Sequence, residues 1–313
     1  MAAIEIEGLT KRYGHDVYAI NDLSLTVETG EVFGFLGPNG AGKSTTIDVL
    51  LDYIRPSAGA ASVLGYDAQR EAEEIHQRVG ILPDGYSLYD RLSGRDHIEF
   101  AIDLQGATDD PDVILDRIGL DASAAARPAG TYSKGMSQRL ALGMALVGDP
   151  DLLILDEPSS GLDPDGIRDI REITLDHAAD GGTVFFSSHV LSQVEAVCDR
   201  VGILNRGRLV AVDTIDGLRD AVGTGSTLTL TVDTVPTGLT ADAIDGVTDV
   251  TVEGNTIRAT CTEPLAKMAV IDAVRAAGST VLDIDTSEAS LEDLFTEYTH
   301  TDDTAVTSAE VDR

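Results

Sequence analysis

Apolar residues alternate with polar ones in some segments of the chain and form unbroken runs in others, and this contrast predicts its secondary structure. Alternation between residues 4 and 36 predicts short strands with a turn at 14–16, an antiparallel lead-in to a sheet. Unbroken apolar runs bounded by polar residues predict strands covered on both faces, as in a parallel sheet. These runs lie at residues 79–82, 152–155 and 183–186.

Apolar residues at helical spacing dominate the interval from about residue 84 to 148. The predicted helices span residues 94–104, 111–118 and 138–147. Because this interval separates two predicted strands of the parallel sheet, we expect an inserted helical subdomain. A hairpin follows the last buried strand, with its two arms at 201–204 and 208–212.

Composition shifts toward threonine, valine and aspartate at about residue 222, where a second pattern begins. Its predicted strands are 228–232, 248–252, 256–260 and 281–284, with a helix at 265–277. Ser290 is placed to cap a short helix that reaches Tyr298, and the last residues are polar, acidic and expected to be disordered. The predicted domains are therefore 1–221, a small α+β domain at 222–300, and a tail at 301–313.

The chain is strongly acidic, with 54 Asp and Glu against 22 Lys and Arg, and a formal net charge of -32. Nucleic-acid binding needs a basic surface, so we expect no nucleic-acid partner. A chain this acidic repels itself at low ionic strength, whereas molar salt screens the repulsion. We therefore expect a salt-adapted cytoplasm, as in halophilic archaea; an ordinary acidic protein is the alternative.

The two cysteines, Cys198 and Cys261, have no C-x-x-C spacing and no Cys or His companions, so we interpret both as packing residues. The longest apolar stretches, such as residues 140–147, are far shorter than the ~20 residues of a bilayer span. We expect a soluble chain. If it acts at a membrane, a partner supplies the span.

Residues 37–45 carry the phosphate-loop pattern G-x-x-x-x-G-K-[ST]. The segment consists of Gly37, Pro38, Asn39, Gly40, Ala41, Gly42, Lys43, Ser44 and Thr45. Its glycines allow backbone N–H groups to surround a polyphosphate, Lys43 is placed to reach the β- and γ-phosphates, and the Ser44 hydroxyl is placed to bind Mg²⁺. A strand pattern before the loop and a helix pattern after it favour a nucleotide site over a glycine-rich turn without a ligand.

Two adjacent carboxylates, Asp156 and Glu157, end the second buried strand. Asp156 is placed to hold Mg²⁺ through water, and Glu157 is a candidate general base that polarises the attacking water. Taken alone, the pair could instead cap the following turn. The phosphate loop upstream favours the catalytic interpretation.

The segment from Tyr132 to Arg139 reads Tyr-Ser-Lys-Gly-Met-Ser-Gln-Arg and stands one helix before the Asp156 strand. This order resembles the ABC ATPase family, whose signature motif, usually Leu-Ser-Gly-Gly-Gln, occupies the same place. The resemblance implies that Ser133 and Gly135 contact a γ-phosphate. Lys134 and Met136 depart from the common glycine and glutamine.

The same resemblance assigns further residues. Asp163 ends a segment similar to the D-loop, and His189 follows the third buried strand like the switch histidine that bonds the γ-phosphate. Tyr13 matches the aromatic residue that stacks on adenine, although a tyrosine packed at a strand end is the alternative. Asp84 stands where the family has a glutamine that touches Mg²⁺, so the metal-binding role passes to Asp84.

The resemblance implies an α/β P-loop NTPase with a mostly parallel sheet, an antiparallel β lead-in and an inserted α-helical subdomain, followed by the α+β domain. It also implies that the protein binds and hydrolyses ATP with Mg²⁺ as a head-to-tail dimer, either homodimer or heterodimer. The expected partner is an integral membrane permease at the cytoplasmic face of the cell membrane, with ABC-2 type export as the direction.

The alternative function is a soluble ABC ATPase that acts on ribosomes or DNA without a permease. The single ATPase unit, the absence of a heptad insertion and the acidic charge weaken this alternative. For residues 222–300 we expect a regulatory or dimer-stabilising module, since they contain no catalytic cluster.

Overall fold

The structure is a computed structural model that describes residues 1–14, 17–222, 226–236 and 244–287. Most of the turn expected at 14–16, the short helix expected after Ser290 and the acidic tail lie outside these ranges. The chain divides into two compact units, Met1–Thr214 and Ile215–Arg313. No helix within the described ranges is long and apolar enough to cross a bilayer.

The first unit contains ten strands within its described residues. They are β1 (Ala2–Tyr13), β2 (Val17–Glu28), β3 (Val32–Leu36), β4 (Ala58–Val63), β5 (Tyr66–Asp67), β6 (Val79–Leu82), β7 (Leu152–Asp156), β8 (Thr183–Ser188), β9 (Arg200–Asn205) and β10 (Arg208–Thr214). The helices of this unit are α1 (Lys43–Leu50), α2 (Ala72–His76), α3 (Gly94–Gln105), α4 (Pro111–Arg117), α5 (Ala122–Ala125), α6 (Lys134–Ala145), α7 (Pro164–Ala179) and α8 (Leu191–Glu195).

A six-stranded sheet in the order β10-β9-β3-β8-β7-β6 forms the centre of the first unit. All neighbours in it are parallel except the β9-β10 hairpin. Every residue of β3, β7 and β8 is buried, as expected for parallel strands covered on both faces. A second, antiparallel sheet, β2-β1-β4-β5, contains the predicted lead-in strands.

The two sheets share one hydrophobic core, in which phenylalanines form the centre. The rings of Phe33 and Phe185 stack with centroids 6.0 Å apart, and Phe35 lies 5.2 Å from Phe185. Each of these side chains is at most 2 % exposed, and burying one contributes about 1.5–3 kcal/mol. This packing fixes β3 against β8 and so places the loops that follow both strands.

Side-chain caps decide where the helices between β6 and β8 begin. Ser93 and Asp96 form a reciprocal capping box, so α3 begins at Gly94, which is the predicted start. Helix α6 begins at Lys134, four residues before the predicted start, because Ser133 caps it by accepting from Met136 N. Helix α7 was not predicted; Asp163 caps it.

The second unit begins with α9 (Ile215–Val222) and contains a sheet with the order β12-β13-β11-β14. Its strands are β11 (Ser226–Val232), β12 (Val247–Glu253), β13 (Thr256–Cys261) and β14 (Val281–Ser287), all antiparallel to their neighbours. Helix α10 (Pro264–Ala276) packs Val270 and Val274 against Leu228, Leu230 and Ile257. The strands and helix predicted for this segment are therefore present as an α+β unit.

Candidate functional site

The carboxyl ends of β3, β7 and β8 meet at one edge of the central sheet. Leu36 pairs with Ser188, and Asp156 pairs with Ser187. Because these strands are parallel neighbours, the loops that follow them emerge side by side. The phosphate loop, Glu157 and His189 therefore share this edge.

The phosphate loop folds tightly around the Lys43 side chain. Lys43 is 6 % exposed, and its Nζ donates to Gly37 O at 2.7 Å. Gly37 N donates to Ser188 O at 3.2 Å, which ties the loop to the end of β8. Gly42 has φ 113 and its backbone lies against the Ala19 carbonyl, so a Cβ there would clash. The glycine spacing of the motif thus has a steric cause in this chain.

Glu157 lies between the phosphate-loop lysine and the histidine after β8. Its Oε1 is 3.1 Å from Lys43 Nζ, and its Oε2 is 2.8 Å from His189 Nδ1. Oε1 is buried and makes no aligned hydrogen bond, so its contact with Lys43 is an ion pair. Nδ1–H of His189 donates to Glu157, which orients the carboxylate.

Ser187 contacts the Asp156 carboxylate and the Glu157 backbone, and sequence reasoning did not single it out for this role. Its Oγ donates to Asp156 Oδ1 at 2.5 Å, and Glu157 N lies 3.2 Å from both Ser187 O and Ser187 Oγ. Glu157 adopts φ 51, a left-handed conformation that costs of order 1 kcal/mol for a non-glycine residue. The backbone hydrogen bonds to Ser187 hold it there.

The donor set fits Mg²⁺ bound with few protein ligands. Ser44 is exposed at the start of α1, and Asp156 is buried at the end of β7. Burial, followed by the nearby Asp156 charge, raises the pKa of Asp48, one turn after Ser44. Among the described residues, no three His, Cys, Asp or Glu side chains form a group that could hold a metal. Mg²⁺ commonly takes one or two protein ligands and completes its shell with phosphate and water.

A cavity of about 470 Å³ connects the predicted metal residue Asp84 with the carboxylates of β7. Asp84, Asp156, Glu157, Lys134 and Ser160 are among the residues that line it. Asp84 is exposed on the cavity wall and forms no metal-binding cluster with the other carboxylates. Its assignment as a metal ligand stays a prediction.

The signature residues face a different cavity, of about 380 Å³. Ser133, Gly135 and Asp163 line it, together with residues of α6 and of the segment that leads into α7. No atom lies within 4 Å of the place where a Cβ on Gly135 would stand. Glycine weakens a helix by about 1 kcal/mol relative to alanine, and no contact among the described residues requires a glycine here. The arrangement suits a surface that another molecule approaches closely.

Tyr13 ends β1 and is 46 % exposed. Lys11 Nζ lies 5.1 Å from its ring centroid, a cation–π contact. An exposed ring at this position can stack on a base. The assignment of Tyr13 to adenine stays a prediction.

A groove of about 980 Å³ runs between the end of β6 and helices α3 and α6. Its wall includes Phe100 and Leu104 of α3 and Met144 of α6. Phe100 is 47 % exposed and Leu104 is 77 % exposed. Exposed apolar side chains in a groove are typical of a protein-docking surface.

Comparisons with known proteins agree with this geometry. A family model described as ABC transporter matches residues 20–160. An uncharacterized ABC transporter ATP-binding protein of Nostoc sp. is 44 % identical over 208 residues, which are 64 % of this chain and 62 % of that protein. A fluoroquinolones export ATP-binding protein of Mycobacterium tuberculosis is 40 % identical over 220 residues, 70 % of this chain and 73 % of that protein. A solved structure of an ATP-binding subunit of an ABC transporter is 30 % identical, with a TM-score of 0.64 over 71 % of this chain and 93 % of that chain.

Proposed function

The chain belongs to the ABC transporter family of ATPases, and we propose that it is the ATP-hydrolysing subunit of an exporter whose membrane permease is a separate chain. The observation that carries the proposal is the group formed by Lys43, Glu157 and His189 at the carboxyl edge of the sheet. It joins a phosphate-binding cation to a carboxylate oriented by a histidine. This combination suits phosphoryl transfer to water.

ATP is the substrate, and the phosphate loop binds it. Backbone N–H groups of the loop and the Lys43 ammonium neutralise the phosphates. Ser44 and Asp156 would hold Mg²⁺, which supplies further positive charge when bound. We assign Tyr13 to adenine stacking and Asp84 to the metal environment.

Glu157 acts as the general base in this proposal. Its carboxylate accepts a proton from the attacking water, and His189 holds the carboxylate through Nδ1–H. Ser187 fixes the backbone from which Glu157 projects. Since Lys43 is paired with Glu157, a phosphate that binds Lys43 competes with that ion pair and leaves Glu157 free to meet water.

The active form is a head-to-tail dimer, which is either two copies of this chain or a pair with a related ATPase. The support is that Ser133, Gly135 and Asp163 line a cavity separate from the one that Glu157 lines. In the dimer these residues close over ATP held by the partner's phosphate loop. Residues 222–300 serve as a regulatory or dimer-stabilising module.

The groove lined by Phe100 and Leu104 receives a short helix of the permease. In this proposal the subunit lies at the cytoplasmic face of the cell membrane. Export by an ABC-2 type permease is the proposed direction, because the mycobacterial relative is named for fluoroquinolone export. The net charge of -32 supports a salt-adapted cytoplasm such as that of a halophilic archaeon.

Affinity purification tests the proposal. The Glu157→Gln variant is purified from native membranes in molar KCl with Mg²⁺-ATP and mild detergent, and the associated proteins are identified by mass. We expect a polytopic membrane protein in one-to-one ratio. Recovery only from the soluble fraction, with ribosomal or DNA-bound proteins, would contradict the transporter function. Inward movement of substrate by the reconstituted complex would contradict export.

A further inference from the structure

A lysine at position 134 is unfavourable for the helix that it begins. It is the first residue of α6, where a cation opposes the helix dipole. The first turn of α6 contains no acidic residue to balance it. Its neighbours Ser133 and Gly135 are the residues assigned to the partner's nucleotide.

The Lys134 side chain extends to the middle of the loop that follows Glu157. Its ammonium lies against Gly161, so close that a Cβ at position 161 would overlap it. Gly161 has φ 66, which also favours glycine. The glycine therefore gives this loop both its turn and the room for the Lys134 side chain.

Two successive turn hydrogen bonds connect the loop around Gly161 with Glu157. Ser160 N donates to Glu157 O at 3.0 Å, and Leu162 N donates to Ser159 O at 3.2 Å. Ser159 is buried, which anchors the centre of this pair of turns. A shift of Gly161 therefore changes the backbone that holds Glu157 in its left-handed conformation.

Lys134 shares a cavity with four acidic residues. Asp84, Asp90, Asp156 and Glu157 line the same cavity as Lys134, and Lys134 is the one basic residue in its described lining. Lys134 also lines the cavity that contains Ser133 and Gly135. The Lys134 side chain therefore lines both cavities.

We propose that Lys134 is a positioning residue that couples the two ATP sites of the dimer. The inference rests on the proposed head-to-tail dimer. A polyphosphate bound against Ser133 and Gly135 attracts the Lys134 ammonium away from Gly161, and the loop then shifts Glu157. ATP on the partner's phosphate loop thereby adjusts the general base of the other site.

The test compares Lys134→Ala and Lys134→Arg with wild type, by ATPase rate against ATP concentration and by ADP affinity, in molar KCl. We expect wild type to show a Hill coefficient that approaches about 2 for two coupled sites, and Lys134→Ala to bring it to about 1 with kcat about tenfold lower. ADP affinity stays unchanged, because Lys134 does not touch the phosphate loop of its own chain. Lys134→Arg restores part of the cooperativity.

Asp180→Asn is the matched control. It removes the ion pair between Arg117 of α4 and Asp180 at the end of α7, 3.7 Å apart, and Asp180 lines neither cavity. We expect it to leave the Hill coefficient at the wild-type value, whereas a merely structural role of Lys134 predicts the same change in both variants.

A double-mutant cycle separates a direct contact from strain. Gly161→Ala displaces Lys134 and strains the loop, so its effect should be smaller on the Lys134→Ala background. The coupling role is overturned if Lys134→Ala retains cooperative ATPase activity, or if the effects of the two substitutions are fully additive. Either result leaves the proposed function intact. A wild-type protein without cooperative, ATP-dependent dimers overturns the dimer and the coupling together.

Discussion

Lys43 and Glu157 form a buried ion pair, with Nζ 3.1 Å from Oε1 and side chains that are 6 % and 11 % exposed. The cation assigned to phosphate binding and the carboxylate proposed as the general base therefore neutralise each other. A phosphate that approaches Lys43 has to replace this carboxylate, so the pair links nucleotide binding to release of the base.

Glu157→Gln should change two properties at once. Loss of the general base lowers the hydrolysis rate by about 10²–10⁴. Loss of the competing charge strengthens ADP binding by about 1 kcal/mol, roughly fivefold in Kd. Single-turnover hydrolysis and fluorescent-ADP titration measure the two effects.

The control for this prediction is Glu31→Gln, which removes the half-buried pair of Glu31 with Arg200 at 2.9 Å. It should leave ADP affinity unchanged. An unchanged ADP Kd in Glu157→Gln would show that the ion pair does not compete with phosphate.

His189→Ala should lower kcat by about tenfold to a hundredfold with little change in ADP affinity, since His189 orients Glu157 through the 2.8 Å contact. His189→Asn retains a donor near the Nδ1 position and should give an intermediate rate. Equal losses in both variants would argue against orientation by Nδ1–H.

Phe100→Asp and Leu104→Asp should prevent copurification of the permease, because each places a charge in the apolar groove. The ATPase rate of the isolated subunit should stay within about twofold of wild type. Val113→Asp is the matched control, since Val113 is 62 % exposed on α4 and does not line the groove. Copurification of permease with Leu104→Asp and Phe100→Asp at wild-type yield would exclude the groove.

Stability should fall as pH drops below about 6.5, because of His177. His177 is 1 % exposed, and neither ring nitrogen has a hydrogen-bond partner. Burial lowers its pKa, as does the Arg117 charge, while Asp149 and Asp180 act in the opposite direction. The unfolded chain therefore binds more protons than the folded chain in this range. The free energy of unfolding decreases as the pH falls through it.

Urea unfolding in molar KCl between pH 7.5 and 5.5 measures this dependence. His177→Leu should show a smaller loss of unfolding free energy than wild type over that range. Ile170→Val, which shortens a buried apolar side chain of the same helix, should keep the wild-type slope. Identical slopes for wild type and His177→Leu would contradict the assignment.

Salt should stabilise the fold. Raising KCl from about 0.1 M to about 1 M shortens the Debye length from about 10 Å to about 3 Å and screens the repulsion that follows from a net charge of -32. We expect the unfolding temperature to rise over that range, and choline chloride to act similarly because screening depends on ionic strength. An unfolding temperature independent of salt would exclude this source of stability.

The sequence allowed prediction of the strands of the parallel sheet, because apolar runs have local causes. Fixed motif spacing marked Lys43 and Glu157 as candidates, whereas the ion pair between them was not predicted. Helix α7 was missed although Asp163 and Pro164 together are a helix-start signal, since charged residues interrupt its apolar positions. Apolar spacing alone places the start of α6 four residues too late, because the Ser133 cap begins the helix before its apolar positions do.

The contacts that sequence reasoning did not provide are those between distant segments. Ser187 bonds to Asp156 across neighbouring strands, and Lys134 meets Gly161 through the packing of α6 beside the loop before α7. No local sequence pattern indicates either contact. Both depend on sheet order and helix placement, which a single sequence does not specify.

The register between β7 and β8 fixes the positions of the two carboxylates. Asp156 lies opposite Ser187, and Glu157 follows one position later, beyond the last pair of the ladder. A single-residue insertion in β7 would move Asp156 into the place that Glu157 occupies, and a single-residue deletion would move Glu157 into the place of Asp156. Either change would turn the displaced side chain to the opposite face of the strand. Even where the sheet still folds and the nucleotide still binds, one of the two proposed roles, metal binding or proton acceptance, would lose its carboxylate, and ATP hydrolysis would stop.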